Sequence, residues 1–194
     1  RIAQAMSYLH SRSVIHRNLN TTNIFIAKSS DEFINPIIVG FRNSRLLPSN
    51  PSIGLSTLNM KATDYQSSNF YAPEFNDSHT YDEKMDVFAF SAILYELLTG
   101  HPPFNTKNPK DTVCLLNDGQ RPGIPADTPK SLAELINSCW CHDPKKRFSF
   151  DKIMEVMSKN KIIFPFDEEN RELVLKFYES NSIKCNCADE CVNK

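Results

Sequence analysis

Apolar residues recur at helical spacing in the first part of the chain and again near its middle. Ile2, Met6 and Leu9 lie on one face of a helix predicted over residues 1–11. Residues 85–98 read MDVFAFSAILYELL, which is apolar nearly all round, and Gly100 follows. This pattern predicts a central buried helix that ends at the glycine.

Three further helices are predicted in the second half of the chain, each preceded by residues that favour a helix start. These starts are Thr128 with Pro129, Ser149 and Asp167. The apolar positions that follow at helical spacing are Leu132, Leu135, Ile136, Cys139 and Trp140, then Phe150, Ile153, Met154 and Met157, and finally Leu173 and Phe177. Such faces predict helices that pack on a shared core.

Two short β-branched and aromatic runs, at residues 24–26 and 37–39, predict a small β-hairpin. Residues 43–69 are rich in Ser, Thr, Asn and Pro and have little periodicity, which predicts a long loop. Long loops in compact domains are often functional. The predicted fold is mainly α: a helical bundle around a buried central helix, with a small hairpin.

Composition favours one globular domain, since 40% of the 194 residues are hydrophobic and 23% are charged. The net charge is -1 and Lys and Arg form no long run, so neither nucleic acid nor an acidic membrane surface is favoured as a partner. No apolar run has the length of a membrane span, and the first residues do not resemble a secretory signal. We therefore expect a cytoplasmic location, in which the six cysteines are reduced thiols.

The two ends of the sequence carry weaker patterns. The chain begins at Arg1, inside a helical pattern with no capping residue ahead of it, and we expect a fragment of a longer protein. The last ten residues, CNCADECVNK, are polar and unpatterned, which predicts a frayed tail.

Five motifs follow one another in order: HRNLNTTN at 16–23, VGF at 39–41, APE at 72–74, DVFAFS at 86–91 and CWCHDPKKRFSF at 139–150. Together they resemble the carboxy-terminal lobe of a protein kinase, over residues 1 to about 160. GQRPGIP at 119–125 and the Cys-Trp pair are most similar to the tyrosine-kinase-like group, although Phe148 stands where that group usually has proline. The resemblance implies a kinase-like C-lobe in residues 1–163, with the hairpin near the catalytic loop. Residues 164–194 would form a C-terminal helix and a frayed, Cys-containing tail.

The resemblance places Asn18, Asn20 and Asn23 in the catalytic loop. In kinases, the Asp of the H-R-D motif accepts the proton of the substrate hydroxyl, and here that position is Asn18. An amide can orient a hydroxyl but cannot take its proton at neutral pH. Asn20 stands where kinases usually carry a lysine, so a cation facing the transferred phosphate is also missing.

The D-F-G motif of kinases corresponds here to Gly40, Phe41 and Arg42, so the Asp that grips magnesium is replaced by glycine. Phe25, Asn23 and Gly40 are the positions equivalent to cofactor-binding residues of the family. Asn23 would then be the one side-chain metal ligand left, and we predict no metal site. A different alignment of the hairpin would make Asp31 the metal ligand, but Asp31 precedes the second strand and no Phe-Gly follows it.

Other residues match positions that hold a kinase lobe together. The resemblance implies that His16 and Phe41 stack beside Asp86, whose carboxylate binds the backbone of the catalytic loop. It also implies an ion pair between Glu74 and Arg147. Folding alone explains why these residues are kept, since breaking a buried pair is strongly destabilising.

Two readings of the function follow from the resemblance. The first is a pseudokinase lobe that transfers no phosphate and binds protein partners through its helices; the second is a fragment of a serine/threonine kinase with weak or unconventional activity. The 194 residues contain no G-x-G-x-x-G and no V-A-I-K-like strand, so the upper lobe that cradles nucleotide is expected to be missing. We expect no cofactor for this chain, and ATP with magnesium only together with the upper lobe of the same parent chain.

The cysteines allow further readings. Cys139, Cys141 and His142 could indicate a metal site, but no fourth ligand follows at zinc spacing and Cys139 lies on an apolar helical stripe, which favours core packing. For Cys185, Cys187 and Cys191, free thiols and a metal or redox role both stay open.

Overall fold

The computed structural model describes residues 1–27, 34–47, 65–77 and 82–185. Within these residues, four short strands lie before residue 47 and most of the remainder is helical. The strands are β1 (Val14–Ile15), β2 (Ile24–Ala27), β3 (Asn35–Ile38) and β4 (Arg45–Leu46). The α-helices are α1 (Ile2–Ser11), α2 (Glu74–Asp77), α3 (Lys84–Thr99), α4 (Pro109–Asn117), α5 (Lys130–Cys139), α6 (Phe150–Asn160) and α7 (Arg171–Cys185).

Helix α3 is the centre of the core. Its residues 85–94 are all buried, which an amphipathic surface helix could not achieve. The helix ends at Gly100, whose left-handed backbone (φ 73°) donates its N–H to the carbonyl of Glu96 at 2.8 Å. The predicted central helix and its glycine stop are therefore confirmed.

The helices predicted after Thr128 with Pro129 and after Ser149 are confirmed as well, as α5 and α6. In α5, Leu132, Leu135 and Ile136 are buried against α3, and Trp140 is buried just past the helix end. Helix α6 begins after Ser149, whose hydroxyl accepts the N–H of Lys152 at 3.2 Å. Helix α1 packs on α6.

Strands β2 and β3 form the predicted antiparallel hairpin, with Phe25 opposite Ile37 and Ile26 opposite Pro36. The second strand begins earlier than predicted, at Asn35, and ends at Ile38. Proline is compatible with this position because a two-stranded ladder has edges on both sides, where a missing N–H costs no ladder bond. Ile24 and Ile38 pack on the core, whereas Phe25, Ile26 and Ile37 are exposed.

The prediction of a long loop over residues 43–69 is wrong at its start. Arg45 and Leu46 form β4, which pairs antiparallel with Ile15 and Val14. A two-residue strand has no periodicity to reveal it, and here the partner lies some thirty positions earlier. Residues 65–70 form a 3-10 helix, and residues 48–64 lie outside the described part of the chain.

The fold is mainly α, with a helical bundle around a buried central helix and a small hairpin, as predicted. Helix α4 was not predicted, because the apolar residues of its sequence PKDTVCLLN form one continuous run and do not recur at helical spacing. The helix buries only Thr112 and Leu116. The last described helix, α7, begins at Arg171, later than the predicted start at Asp167, because residues 165–170 form a 3-10 helix. Cys185, the first residue of the predicted frayed tail, still belongs to α7, and residues 186–194 lie outside the described residues. None of the described helices combines the length and apolar character needed to span a bilayer.

Candidate functional site

The loop after β1 is held in place by a carboxylate from the central helix. Asp86, in the first turn of α3, is 1% exposed and accepts the backbone N–H groups of His16 and Arg17, both at 2.8 Å. His10 of α1 contacts the same carboxylate through Nε2 at 3.0 Å. These bonds satisfy a buried charge and fix the backbone immediately before Asn18.

His16 is buried at the centre of this loop. Its Nε2–H donates to the carbonyl of Val39 at 2.9 Å, and its Nδ1 accepts the N–H of Asn18 at 3.3 Å. Its ring meets the edge of Phe41 at a centroid distance of 4.9 Å. Burial lowers the pKa of His16, while the nearby charge of Asp86 and the bond to Val39 act in the opposite direction. A neutral imidazole suits this arrangement, because Nδ1 is needed as an acceptor.

The three predicted loop residues form one hydrogen-bonded cluster of amides. Asn20 is 2% exposed, and its Nδ2 donates to both the carbonyl and Oδ1 of Asn18 at 3.0 Å. Its Oδ1 accepts the N–H of Asn23 at 3.1 Å and the hydroxyl of Thr22 at 2.6 Å. The Nδ2 of Asn23 donates to the carbonyl of Asn18 at 2.8 Å. Much of the hydrogen-bonding capacity of the three amides is therefore satisfied within the cluster.

Gly40 follows β3 and lies directly against this cluster. Its backbone is left-handed (φ 86°), a conformation that glycine adopts without strain. A Cβ at this position would be 2.7 to 2.8 Å from the three terminal side-chain atoms of Asn23. The structure thus brings together Asn23 and Gly40, two of the three predicted cofactor-binding positions.

The third such position, Phe25, lies on the open side of the hairpin. Its side chain is 59% exposed, and that of its cross-strand neighbour Ile37 is 46% exposed. Both side chains can therefore contact a ligand or another protein surface. Phe25 has no polar group that could hold a phosphate. Its contribution to any site would be apolar contact.

The residues of the cluster do not suit a divalent cation. Magnesium requires oxygen ligands at near-octahedral geometry and is usually bound through carboxylates and phosphates. Asn18, Asn20 and Asn23 offer neutral amide oxygens, of which Asn18 Oδ1 and Asn20 Oδ1 already accept hydrogen bonds. Across the described residues, no group of three or more His, Cys, Asp or Glu side chains could hold a metal ion. Asp31, the alternative ligand, lies outside the described residues.

Glu74 and Arg147 form an ion pair beside the amino-terminal end of α3. Arg147 donates to both carboxylate oxygens, at 2.6 and 2.8 Å, and its guanidinium also binds the carbonyls of Cys141, His142 and Lys84. The guanidinium lies 4.9 Å from the ring centroid of Phe88. The pair ties α2 and the segment after α5 to the central helix.

Sequence reasoning missed two residues next to these positions. His10 follows Met6 by four residues and so shares its buried helical face, a spacing that could have indicated its contact with Asp86. Arg121 lies 4.8 Å from the Phe88 ring, and burial, together with the charge of Arg147, lowers its pKa to about 10. No local pattern in the sequence predicts that contact.

Cys139 is a core residue, as its place on the apolar helical stripe predicts. It is fully buried in α5, and burial raises the pKa of its thiol to about 12. Its neighbour Cys141 bonds the carbonyl of Asn137, and His142 is exposed. Cys185 ends α7, whereas Cys187 and Cys191 lie outside the described residues.

Comparison with known proteins gives one consistent result. The sequence model described as protein tyrosine and serine/threonine kinase matches residues 1–157. A probable LIM domain-containing serine/threonine-protein kinase of Dictyostelium discoideum is 36% identical over 158 residues, 81% of this chain and 22% of the relative. Serine/threonine-protein kinase VIK of Arabidopsis thaliana is 35% identical over 170 residues, 86% of this chain and 37% of the relative. Dual specificity protein kinase pyk3 of Dictyostelium discoideum is 32% identical over 167 residues.

The chain spans between 11% and 37% of the length of these three relatives. The family match extends over most of the chain, from α1 through nearly all of α6, and includes both the amide cluster and the Glu74–Arg147 pair. The chain belongs to the protein tyrosine and serine/threonine kinase family.

Proposed function

We propose that this chain is the helical lobe of a pseudokinase, which keeps the kinase fold but transfers no phosphate. The observation that carries the proposal is the closed amide cluster of Asn18, Asn20 and Asn23 against Gly40, within a frame that Asp86 holds in place. The frame explains why the loop persists. Packing requires its backbone path, whereas nothing in that packing requires a carboxylate at residue 18 or 40.

The first missing function is proton transfer. The carboxamide of Asn18 has no basic oxygen, and its Oδ1 already accepts a hydrogen bond from Asn20 at 3.0 Å. Loss of a positioned general base lowers the rate by about 10² to 10⁴. This loss alone would leave a slow enzyme.

The second missing function is charge neutralisation of the phosphates. Kinase catalysis depends on magnesium ions that bridge the phosphate oxygens. Here Gly40 has no side chain that could bind a metal ion. The Nδ2 of Asn23 donates to the carbonyl of Asn18 at 2.8 Å. Asn20 also supplies no cation at the position of the family's lysine. Together these three changes remove every charged group that the family motif would place beside the transferred phosphate.

A lobe of this kind acts through binding. We propose that protein partners contact its helical surfaces and that the chain serves as a scaffold or regulator in cytoplasmic signalling, within the tyrosine-kinase-like group. Nucleotide with magnesium would enter only in a parent chain that carries the upper lobe. In such a parent chain, the exposed side chains of Phe25 and Ile37 would form an apolar surface beneath the bound nucleotide.

The second candidate function is an active serine/threonine kinase with an unconventional metal site. The names of the relatives favour it, since two of those described above are serine/threonine-protein kinases by name. This alternative requires a divalent cation at Asn23. The two functions therefore differ in whether magnesium adds to the binding of nucleotide.

Thermal unfolding of the parent chain separates them. We expect the same midpoint with ATP plus magnesium as with ATP plus a chelator, because the site holds no cation. A magnesium-dependent rise of the midpoint that disappears in Asn23→Ala would contradict the proposal. Asn105→Ala, at an exposed loop position, is the matched control for the loss of an amide side chain.

A further inference from the structure

The carboxamide of Asn23 occupies the space that a side chain at residue 40 would enter. A Cβ at residue 40 would be 2.7 Å from Cγ, 2.7 Å from Nδ2 and 2.8 Å from Oδ1 of Asn23. Since the three distances are nearly equal, the plane of the amide faces the position where a side chain would begin. Real Cβ atoms do not approach other atoms this closely.

Asn23 is fixed on both its backbone and its side chain. Its N–H bonds the carbonyl of Asn20 at 3.1 Å, and its own carbonyl accepts the N–H of Val39 at 2.9 Å. Its Nδ2 donates to the carbonyl of Asn18 at 2.8 Å. Moving the amide away from residue 40 would break this last bond or distort the connection between the loop and the hairpin.

Gly40 is fixed as well. Its φ of 86° belongs to the left-handed region, and the 3-10 helix Phe41–Asn43 begins directly after it. The preceding residue, Val39, donates its N–H to the carbonyl of Asn23, and its own carbonyl accepts a hydrogen bond from Nε2 of His16. The backbone at residue 40 therefore cannot turn to carry a side chain elsewhere without breaking contacts on both sides.

We propose that Asn23 closes the cation site of this kinase lobe from within, so that residue 40 is restricted to glycine. The inference rests on the proposed function, because it explains why the site cannot hold a metal, but it concerns packing and not turnover. The site therefore lacks both the metal-binding carboxylate at residue 40 and the space in which that side chain would lie. Restoring an aspartate at residue 40 alone would displace Asn23, and with it the amide oxygen that the family uses beside that aspartate.

A double-mutant cycle on the 194-residue chain tests this closure. The variants are Gly40→Ala, Asn23→Ala and the two combined, with unfolding by urea as the measurement. Gly100→Ala is the matched control, because Gly100 has a similar φ of 73° but nothing lies within 4 Å of its Cβ position. It reports the cost of a left-handed alanine without a clash.

We expect Gly40→Ala to raise the unfolding equilibrium constant about tenfold more than Gly100→Ala does, and this excess to vanish when Asn23 is already alanine. If Gly40→Ala does not fold, recovery of folded protein in the combined variant supports the closure, and failure to recover contradicts it. If Gly40→Ala lowers the stability by the same amount in the wild type and in the Asn23→Ala background, the proposal is overturned. No nucleotide or substrate is used, so this outcome is separate from that of any activity assay.

Discussion

Arg147 and Glu74 form a two-point ion pair whose guanidinium is fully buried, with the carboxylate 11% exposed. The pair joins segments 73 residues apart in sequence, and the Phe88 ring lies beside it. A buried charge pair contributes little net stability when intact, but loss of one partner leaves the other charge uncompensated.

Arg147→Met tests this relationship. We expect the free energy of unfolding to fall by about 3–5 kcal/mol, because the Glu74 carboxylate would lose its buried partner. Urea unfolding followed by circular dichroism measures the change. Glu155→Gln, which removes one partner of the exposed Lys152–Glu155 pair, is the control and should leave the midpoint unchanged. Similar effects of the two substitutions would show that the buried pair has no special role.

Asp86→Asn removes a charged acceptor from the loop backbone. The amide cannot accept both N–H groups of His16 and Arg17, so we expect a loss of about 2–3 kcal/mol. Hydrogen exchange at these two amides should accelerate more than exchange elsewhere in the loop. Asp111→Asn, in the exposed first turn of α4, is the matched control. Unchanged exchange at His16 and Arg17 would mean that Asp86 does not fix the loop.

His16 should make stability depend on pH. Burial lowers its pKa below the usual 6.5, so the unfolded chain takes up this proton at a higher pH than the folded chain. The contribution is fully present above about pH 6.5 and is lost as the pH falls towards the folded-state pKa. The difference in unfolding free energy between wild type and His16→Gln should therefore shrink on acidification through this range. A difference that stays constant through this pH range would contradict the assignment.

Cys139 should be unreactive in the folded protein. Burial raises its thiol pKa to about 12, so almost no thiolate is present at pH 8. We expect iodoacetamide to label the exposed Cys114 readily and to label Cys139 only when the chain unfolds, as measured by mass spectrometry of peptides. Labelling of both at the same rate in native buffer would indicate that α5 is not packed as described.

The sequence predicts the helical core well, for a physical reason. In α5 and α6 the apolar positions repeat at the helical period, and burial follows that period directly. Helix α3 is indicated instead by its continuous apolar run and the glycine that follows it. Strand β4 and helix α4 cannot be predicted from the spacing of apolar residues. Strand β4 is set by pairing with a distant strand, and the apolar residues of α4 form one continuous run that shows no helical period.

The candidate site is predictable in its members but not in its arrangement. The order of motifs identifies Asn18, Asn23 and Gly40 as residues of one loop region. Nothing in the sequence indicates that the Asn23 amide lies against Gly40, since this depends on the left-handed backbone at residue 40 and the bond to Asn18. Side-chain packing at this scale is a tertiary property.

Transfer of labelled phosphate from ATP is the measurement that tests the central claim most directly. The natural full-length protein is incubated with radiolabelled ATP, magnesium and a generic protein substrate, beside the Asn18→Ala variant. Because Asn18 and Gly40 carry no carboxylate that could accept the proton or hold the ion, we predict incorporation at the level of a protein-free blank for both. Magnesium-dependent incorporation by the wild type, well above that of Asn18→Ala, would contradict the account.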